Sequence, residues 1–232
     1  MTRESIAAFY RQFVTADDLV FDIGAYHGSR TAVFREIGAR VVAAEPVRES
    51  VHMLFARFGA DPRVKLVPRA VGACAGTADI VLSAPHRFSS SLSADYRRAG
   101  LESGRYARYG VTTWNDTRRV RVTTMDALIA EHGVPAFAKI DVEGTEDAVL
   151  AGLSQPVAAL SFEFHPHALD PAMRCLDRLE MLGHWRFNFV CEERFAWELS
   201  TWVPLADIRT ILLETRGRSD FLYGDVYARL VD

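Results

Sequence analysis

Acidic side chains at the ends of short apolar runs are the residues best placed for chemistry in this sequence. Val20-Phe21-Asp22-Ile23 runs into Gly24-Ala25-Tyr26-His27-Gly28, and Val41-Val42-Ala43-Ala44 ends in Glu45-Pro46, 23 residues after Asp22. An apolar strand that enters a glycine turn and then a helix is where open α/β sheets bind nucleotide-like cofactors. A pyrophosphate needs a second glycine for close backbone approach, and Ala25 and Tyr26 stand in its place. S-adenosylmethionine has no phosphate and carries a cationic amino-acid end. Asp22 can face that end, and Glu45 can accept hydrogen bonds from two ribose hydroxyls. Both acids could instead cap the helices that follow them.

A second set of chemistry-bearing residues lies further along. In Phe137-Ala138-Lys139-Ile140-Asp141-Val142-Glu143-Gly144 the two-residue period of a strand puts Lys139, Asp141 and, by extension, Glu143 on one face. Ser161-Phe162-Glu163-Phe164-His165 does the same for Ser161, Glu163 and His165. If the two strands are neighbours beside the one ending in Asp22, their carboxyl ends share one crevice and several carboxylates crowd there. Such crowding requires a proton, a lysine, a cationic ligand or a divalent metal. Lys139 is the internal candidate. Asp141, Glu143 and Glu163 form an all-oxygen set suited to Mg²⁺ or Mn²⁺, although nothing in the spacing demands a metal. A plain ion-pair network is the alternative. His165 continues the face of Glu163 and ranks first as a base, ahead of His167 and His27.

Elements must hold these groups in register. Leu19 to Ile23, Arg40 to Ala44 and Val64 to Val67 read as strands, with helices at 30–37 and 49–58 between them, which is the alternation of a parallel sheet covered on both faces. Beyond Ile80 to Leu82 the alternation stops, and 84–118 reads as a lid-like insert. Order returns with Val120 to Thr123, a helix near Met125, strands at 136–141 and 158–164, and helices at 146–153 and 172–182. Strands at 184–190 and 222–230 close the sheet as an antiparallel pair, with Pro204 starting the helix between them. An N-terminal helix is expected within 1–16, from Ile6, Phe9, Tyr10 and Phe13 at helical spacing.

The chain has 232 residues, 49% hydrophobic and 25% charged, which excludes disorder and fits a single domain over 1–232. Its net charge of -3 argues against nucleic acid as a partner. Cys74, Cys175 and Cys191 are too few and scattered for a disulfide framework or a zinc site. No signal-like or spanning apolar run is present, so the expectation is a cytoplasmic protein with no membrane partner. Trp185, Trp197 and Trp202 are core residues or contacts of a homo-oligomer.

The residues VFDIGAYHG at 20–28, AAEP at 43–46, SSSL at 89–92, VTTMDALI at 122–129, KIDVEGTEDAVLAGL at 139–153 and SFEFHP at 161–166 resemble the FkbM-type methyltransferases, a branch of the class I S-adenosylmethionine-dependent enzymes. The resemblance spans roughly 18 to 190, and KIDVEG followed by a VLxG helix is its most specific part. It implies a Rossmann-like, doubly wound sheet of seven mostly parallel strands with an antiparallel closing strand. It also implies methyl transfer to a hydroxyl of a sugar or secondary metabolite. By position, Asp22, Gly24 and Gly28 match the cofactor turn, Glu45 the ribose acid, and Asp141 and Glu143 the acidic motif at the active crevice. Near the adenine this chain has Val71-Gly72-Ala73-Cys74, so that contact falls to the backbone near Ala70 and Val71.

The expected chemistry is in-line displacement at a methyl carbon, with Asp141, Glu143, Glu163 and His165 as base or metal site. The insert carries Arg87, Arg97, Arg98, Arg105, Arg108 and Arg118 against Asp95, Glu102 and Asp116, a local charge of +3. With Tyr96, Tyr106, Tyr109 and Trp114 interleaved, it could close over a small-molecule or glycan acceptor, touched by Arg87, Ser90, Ser91 and Trp114. An ordinary solvated loop is the competing reading. A nicotinamide-dependent oxidoreductase is disfavoured by Ala25-Tyr26 and by the lack of a Tyr-x-x-x-Lys pair, a nucleic-acid enzyme by the lack of a basic excess. A non-catalytic module of the same fold is the rival of another class.

Overall fold

The computed structural model describes residues 2–104, 110–111, 113–218 and 221–231. Strands β1 (Leu19–Ile23), β2 (Arg40–Ala44) and β3 (Val64–Val67) alternate with helices α2 (Ser29–Ile37) and α3 (Arg48–Phe58), after an N-terminal helix α1 (Arg3–Tyr10). Strands β4 (Ala70–Val71) and β5 (Gly76–Ala84), helix α4 (Ala94–Glu102) and strand β6 (Thr113–Thr123) follow. The chain continues through α5 (Met125–His132), β7 (Phe137–Ile140), α6 (Glu146–Ala151), β8 (Ala159–Phe164) and α7 (Asp170–Leu182). It ends with β9 (Trp185–Cys191), α8 (Leu205–Glu214) and β10 (Gly224–Leu230).

Seven strands form one sheet in the order β3-β2-β1-β7-β8-β10-β9. β10 runs antiparallel to both of its neighbours, whereas the pairs among β3, β2, β1, β7 and β8 are parallel. This is the doubly wound sheet expected from the alternation, with the closing strand inserted between β8 and β9. Both faces are covered, so β1, β7 and β8 are buried along their whole length and carry little polar alternation. One face packs Phe21, Ile23, Ile140 and Phe162 against Leu128, Leu150, Leu176 and Leu212 from α5 to α8. The other packs Phe137 and Tyr227 against Tyr10, Phe34 and Phe58 from α1 to α3. Tyr10 and Phe13 meet Phe137, Tyr227, Trp197 and Trp202 in stacked, tilted and edge-on pairs, which accounts for the early aromatic helix; of the late tryptophans Trp185 is buried in the core, and Trp197 and Trp202 pack half-buried against it.

The insert differs from its reading as an aperiodic stretch. β5 and β6 form a long antiparallel hairpin that pairs with β4 in a separate three-stranded sheet, so 113–118 is strand. These residues, TWNDTR, alternate only between exposed and half-buried positions, and such a two-sided polar strand has no apolar period to read. Within the excursion Ser93 caps α4 by accepting from the Tyr96 N–H. Ser91 bridges back to Val81 of β5. Arg105, Tyr106, Arg108 and Tyr109, expected to serve the acceptor, lie outside the described residues. No described helix is long and apolar enough to cross a membrane.

Candidate active site

The crossover point of the sheet lies between β1 and β7, and the loops after β1, β2, β7 and β8 meet above it. Gly24 adopts φ +82°, and a Cβ there would sit 1.7 Å from the Asp141 carbonyl oxygen, so only glycine lets the first turn lie against the end of β7. The Gly24 and Ala25 N–H groups both donate to the Ala44 carbonyl at 3.0 Å, which fixes the turn to β2. Gly28 packs against Phe58 and Leu54, serving the approach of α2 to α3. Ala25 is buried in the core on the same side.

Glu45 is the acid of the next turn. It is 5% exposed, and its two oxygens accept from the Tyr26 N–H at 2.9 Å and the Val47 N–H at 2.7 Å. Burial pushes its pKa up to about 7, against the pull of those two amides. Each oxygen keeps a free lone pair, which is what a vicinal diol requires. Asp22, expected to face a cation, instead sits beneath the turn, where it accepts from Thr31 Oγ1 at 2.5 Å. Burial raises its pKa while Lys139 pulls it down.

A cavity of about 370 Å³ opens above these turns. Of the residues expected at a cofactor, Gly24, Tyr26, Glu45, Pro46, Ala70, Val71 and Asp141 line it, and Asp22, Ala25 and Gly28 do not. Of the acceptor candidates, Arg87 and Ser90 line it. Ser91 and Trp114 stand behind that wall: Ser91 Oγ donates to the Glu143 carbonyl at 2.6 Å, and Trp114 Nε1 donates to the Ser89 carbonyl at 3.0 Å. The acids in the wall are Glu45, Asp141, Glu143, Glu163 and Glu193, and its cations are Arg69 and Arg87. Lys139 and Arg30 pair with Asp141 and Glu193 from behind, which leaves three acids against two arginines and a slight preference for a cationic ligand over a pyrophosphate.

The carboxylates of the crevice divide into two groups. Strand register aligns Asp22 with Lys139 and Lys139 with Ser161 on one face of the sheet. Lys139 Nζ lies 2.5 Å from Asp141 Oδ2, and the lysine is 4% exposed. Burial opposes its charge, but the Asp141, Asp225 and Asp22 carboxylates together hold the ammonium well above the usual lysine range. The other group comprises Glu143, Glu163 and His165, whose ligand atoms all lie within 4.8 Å of one another. His165 Nε2 is 3.0 Å from Glu163 Oε2, and both residues are buried. Asp141 therefore belongs to the lysine pair, and the histidine takes the place expected of it beside the two glutamates.

Sequence reasoning missed Glu146 and Asp225, and gave Tyr96 a place over the acceptor rather than against Glu143. Tyr96 of α4 donates its phenol to Glu143 Oε2 and packs its ring 5.0 Å from His165. Glu146 turns back onto the loop before α6, accepting from the Val142 and Gly144 N–H groups at 3.1 Å, and burial pushes its pKa up to about 7. Asp225, opposite Glu163 on β10, is pushed up to about 6 by burial. The acid at the helix start in GTED was a legible signal for Glu146. Nothing local signals the Tyr96–Glu143 contact or the part played by Asp225, because each depends on tertiary pairing.

The family model described as the methyltransferase FkbM domain matches residues 22–214. No curated protein matches the sequence. Among solved structures, a precorrin-6y methyltransferase of Geobacter metallireducens is similar at 14% identity and TM-score 0.44, over 99% of this chain and 87% of that one. An S-adenosylmethionine-dependent O-methyltransferase of Thermotoga maritima is similar at 11% identity and TM-score 0.45, over 99% of this chain and 66% of that one. A tRNA methyltransferase of Aquifex aeolicus is similar at 13% identity and TM-score 0.46, over 99% and 69%.

Proposed function

The chain belongs to the FkbM family of methyltransferases, and from that premise we propose that it methylates a hydroxyl oxygen of a small-molecule or glycan acceptor, with S-adenosylmethionine as donor. The observation that carries this reading is the 3.0 Å approach of His165 Nε2 to Glu163 Oε2, with Glu163 and Glu143 on the cavity wall and His165 buried against Glu163 rather than lining the cavity itself. An imidazole oriented by a carboxylate is the group a hydroxyl nucleophile needs and an amine nucleophile does not.

The residues present fit the donor: an acid with free lone pairs at Glu45, a backbone wall at Ala70 and Val71, and a predominance of carboxylates facing the cavity. Bound there, S-adenosylmethionine supplies a methyl group on a sulfonium sulfur. Glu45 accepts from the ribose hydroxyls, and Asp141, fixed by Lys139, borders the reacting end. Transfer of that methyl group to an acceptor hydroxyl would leave S-adenosylhomocysteine, and Glu163 on the cavity wall, with His165 against it, would take up the hydroxyl proton. Alignment can lower the barrier by about 7–11 kcal/mol and the base can add roughly 10²–10⁴-fold. Arg87 and Ser90 of the insert border the same space and would contact the acceptor.

The test uses donor labelled with ¹³C in its methyl group and a panel of methyl glycosides, uronic acids and hydroxylated aromatic metabolites. We expect micromolar donor binding by calorimetry, labelled methyl ethers in the products, and loss of transfer with retained donor binding in His165→Ala and Glu163→Ala. Label found on nitrogen or carbon, turnover left intact by both variants, or donor binding with no transfer to any of the panel overturns the reading.

A further inference from the structure

Resting on the reading of this cavity as a methyl-transfer site, we propose that Glu143, Glu163 and His165 form a binding site for one divalent transition ion of the Mn²⁺, Fe²⁺, Co²⁺ or Zn²⁺ class. Ligands sharing such an ion at about 2.1 Å lie at most about 4.2 Å apart. The ligand atoms of these three side chains already lie within 4.8 Å of one another, so small rotamer changes close the set. Glu143 arrives from the loop after β7, Glu163 from the end of the adjacent parallel strand β8 and His165 from the residue just past that strand, and Glu163 and His165 are 7% and 3% exposed.

The imidazole makes this more than a group of acids. Two carboxylates alone suit Mg²⁺ or Ca²⁺, whereas a nitrogen donor shifts preference toward later divalent ions. Asp141, the acid that sequence alone would add, is held by Lys139 at 2.5 Å and leaves the histidine as third donor. The outer contacts are those that orient metal ligands elsewhere. Tyr96 donates to Glu143, its ring lies 5.0 Å from His165, and Ser91 fixes the Glu143 carbonyl at 2.6 Å. Glu143 and Glu163 border the cavity, so the remaining coordination positions of an ion face the acceptor space. With the ion in place His165 acts as a ligand and not as the base; a hydroxyl bound to the ion would lose its proton more readily, to a carboxylate oxygen of Glu143 or Glu163 that does not hold the ion.

Co²⁺ is the probe, because its visible absorption reports nitrogen and oxygen ligation without any acceptor. Wild-type protein and the exposed-surface control His52→Ala should each give one saturable band. The band should vanish in His165→Ala, and Co²⁺ affinity should fall at least tenfold in both Glu143→Gln and Glu163→Gln. Calorimetry with S-adenosylmethionine on the same samples reports whether each variant is folded. No saturable band in wild type, or an unchanged band in His165→Ala, overturns the metal site. Donor binding and methyl transfer that persist after chelation, with no Co²⁺ band, leave the proposed function standing and remove this inference. A Co²⁺ band in a protein that transfers no methyl group does the reverse.

Discussion

Glu45 shows how one buried side chain couples ligand binding to pH. Its acid form is stabilised by burial, so the ligand-free protein holds a proton there with a pKa of about 7. Ribose hydroxyls donate hydrogen bonds and therefore bind the ionised form, so binding at acid pH must expel that proton. The donor dissociation constant should be flat above pH 8 and weaken below pH 7, approaching about tenfold per pH unit. Calorimetry at pH 6 and pH 8, in buffers of different ionisation enthalpy, reads both the affinity and the released proton. In Glu45→Gln the affinity should be lower and the pH dependence flattened; an unchanged slope removes Glu45 from the site. Glu45 was legible because strand-end acids recur at a spacing fixed by one βαβ unit. The role of Asp22 was not, since whether a strand-end acid faces the cavity or the helix behind it depends on partners such as Thr31, which a spacing does not reveal.

Among the elements, the loop between β7 and α6 and the helix α4 form one unit. Glu143 adopts φ +59°, an unfavourable region for a residue with a Cβ, and Gly144 follows at φ +98°. A Cβ on Gly144 would lie 2.4 Å from the Tyr96 ring, which places α4 directly on this loop. Gly144→Ala must therefore both strain the backbone and push α4 away. We expect a loss of about 2–4 kcal/mol in urea denaturation, with donor affinity changed less than threefold, because no residue of α4 lines the cavity. Tyr96→Phe keeps the ring and should cost about 1 kcal/mol or less. Equal losses in the two variants would show that the ring packing is not what Gly144 protects. The parallel core was readable because its strands are short, apolar and spaced by amphipathic helices. The insert was not, because 115–119 at the middle of β6 are all polar and α4 joins the site through a contact between residues 47 apart.

At the scale of the whole molecule, charge is concentrated at one end of the sheet. The Asp22, Lys139 and Asp141 group needed two neighbouring strands in register, and the β1-β7 adjacency inferred from the doubly wound pattern supplies it. Asp225 joins only because β10 inserts between β8 and β9, a topological choice no local pattern encodes. Lys139 is the shared counter-ion for these three aspartates. Replacing it in Lys139→Met retains volume and removes the only cation among the four, which for a buried network is worth about 3–5 kcal/mol. The deficit must depend on pH. Without the ammonium the folded-state pKa values of Asp22 and Asp225, already raised by burial, rise further. A carboxyl with a raised folded pKa destabilises above its unfolded pKa, and the penalty fades as pH falls and the group takes its proton in the folded state. The variant should therefore trail wild type by about 3 kcal/mol or more at pH 8, and the gap should narrow toward pH 5, below the raised Asp225 pKa of about 6. Urea denaturation at the two pH values measures it. A gap that is constant or widens toward acid would mean that Lys139 acts through packing, and that the aspartates find their compensation elsewhere in the fold.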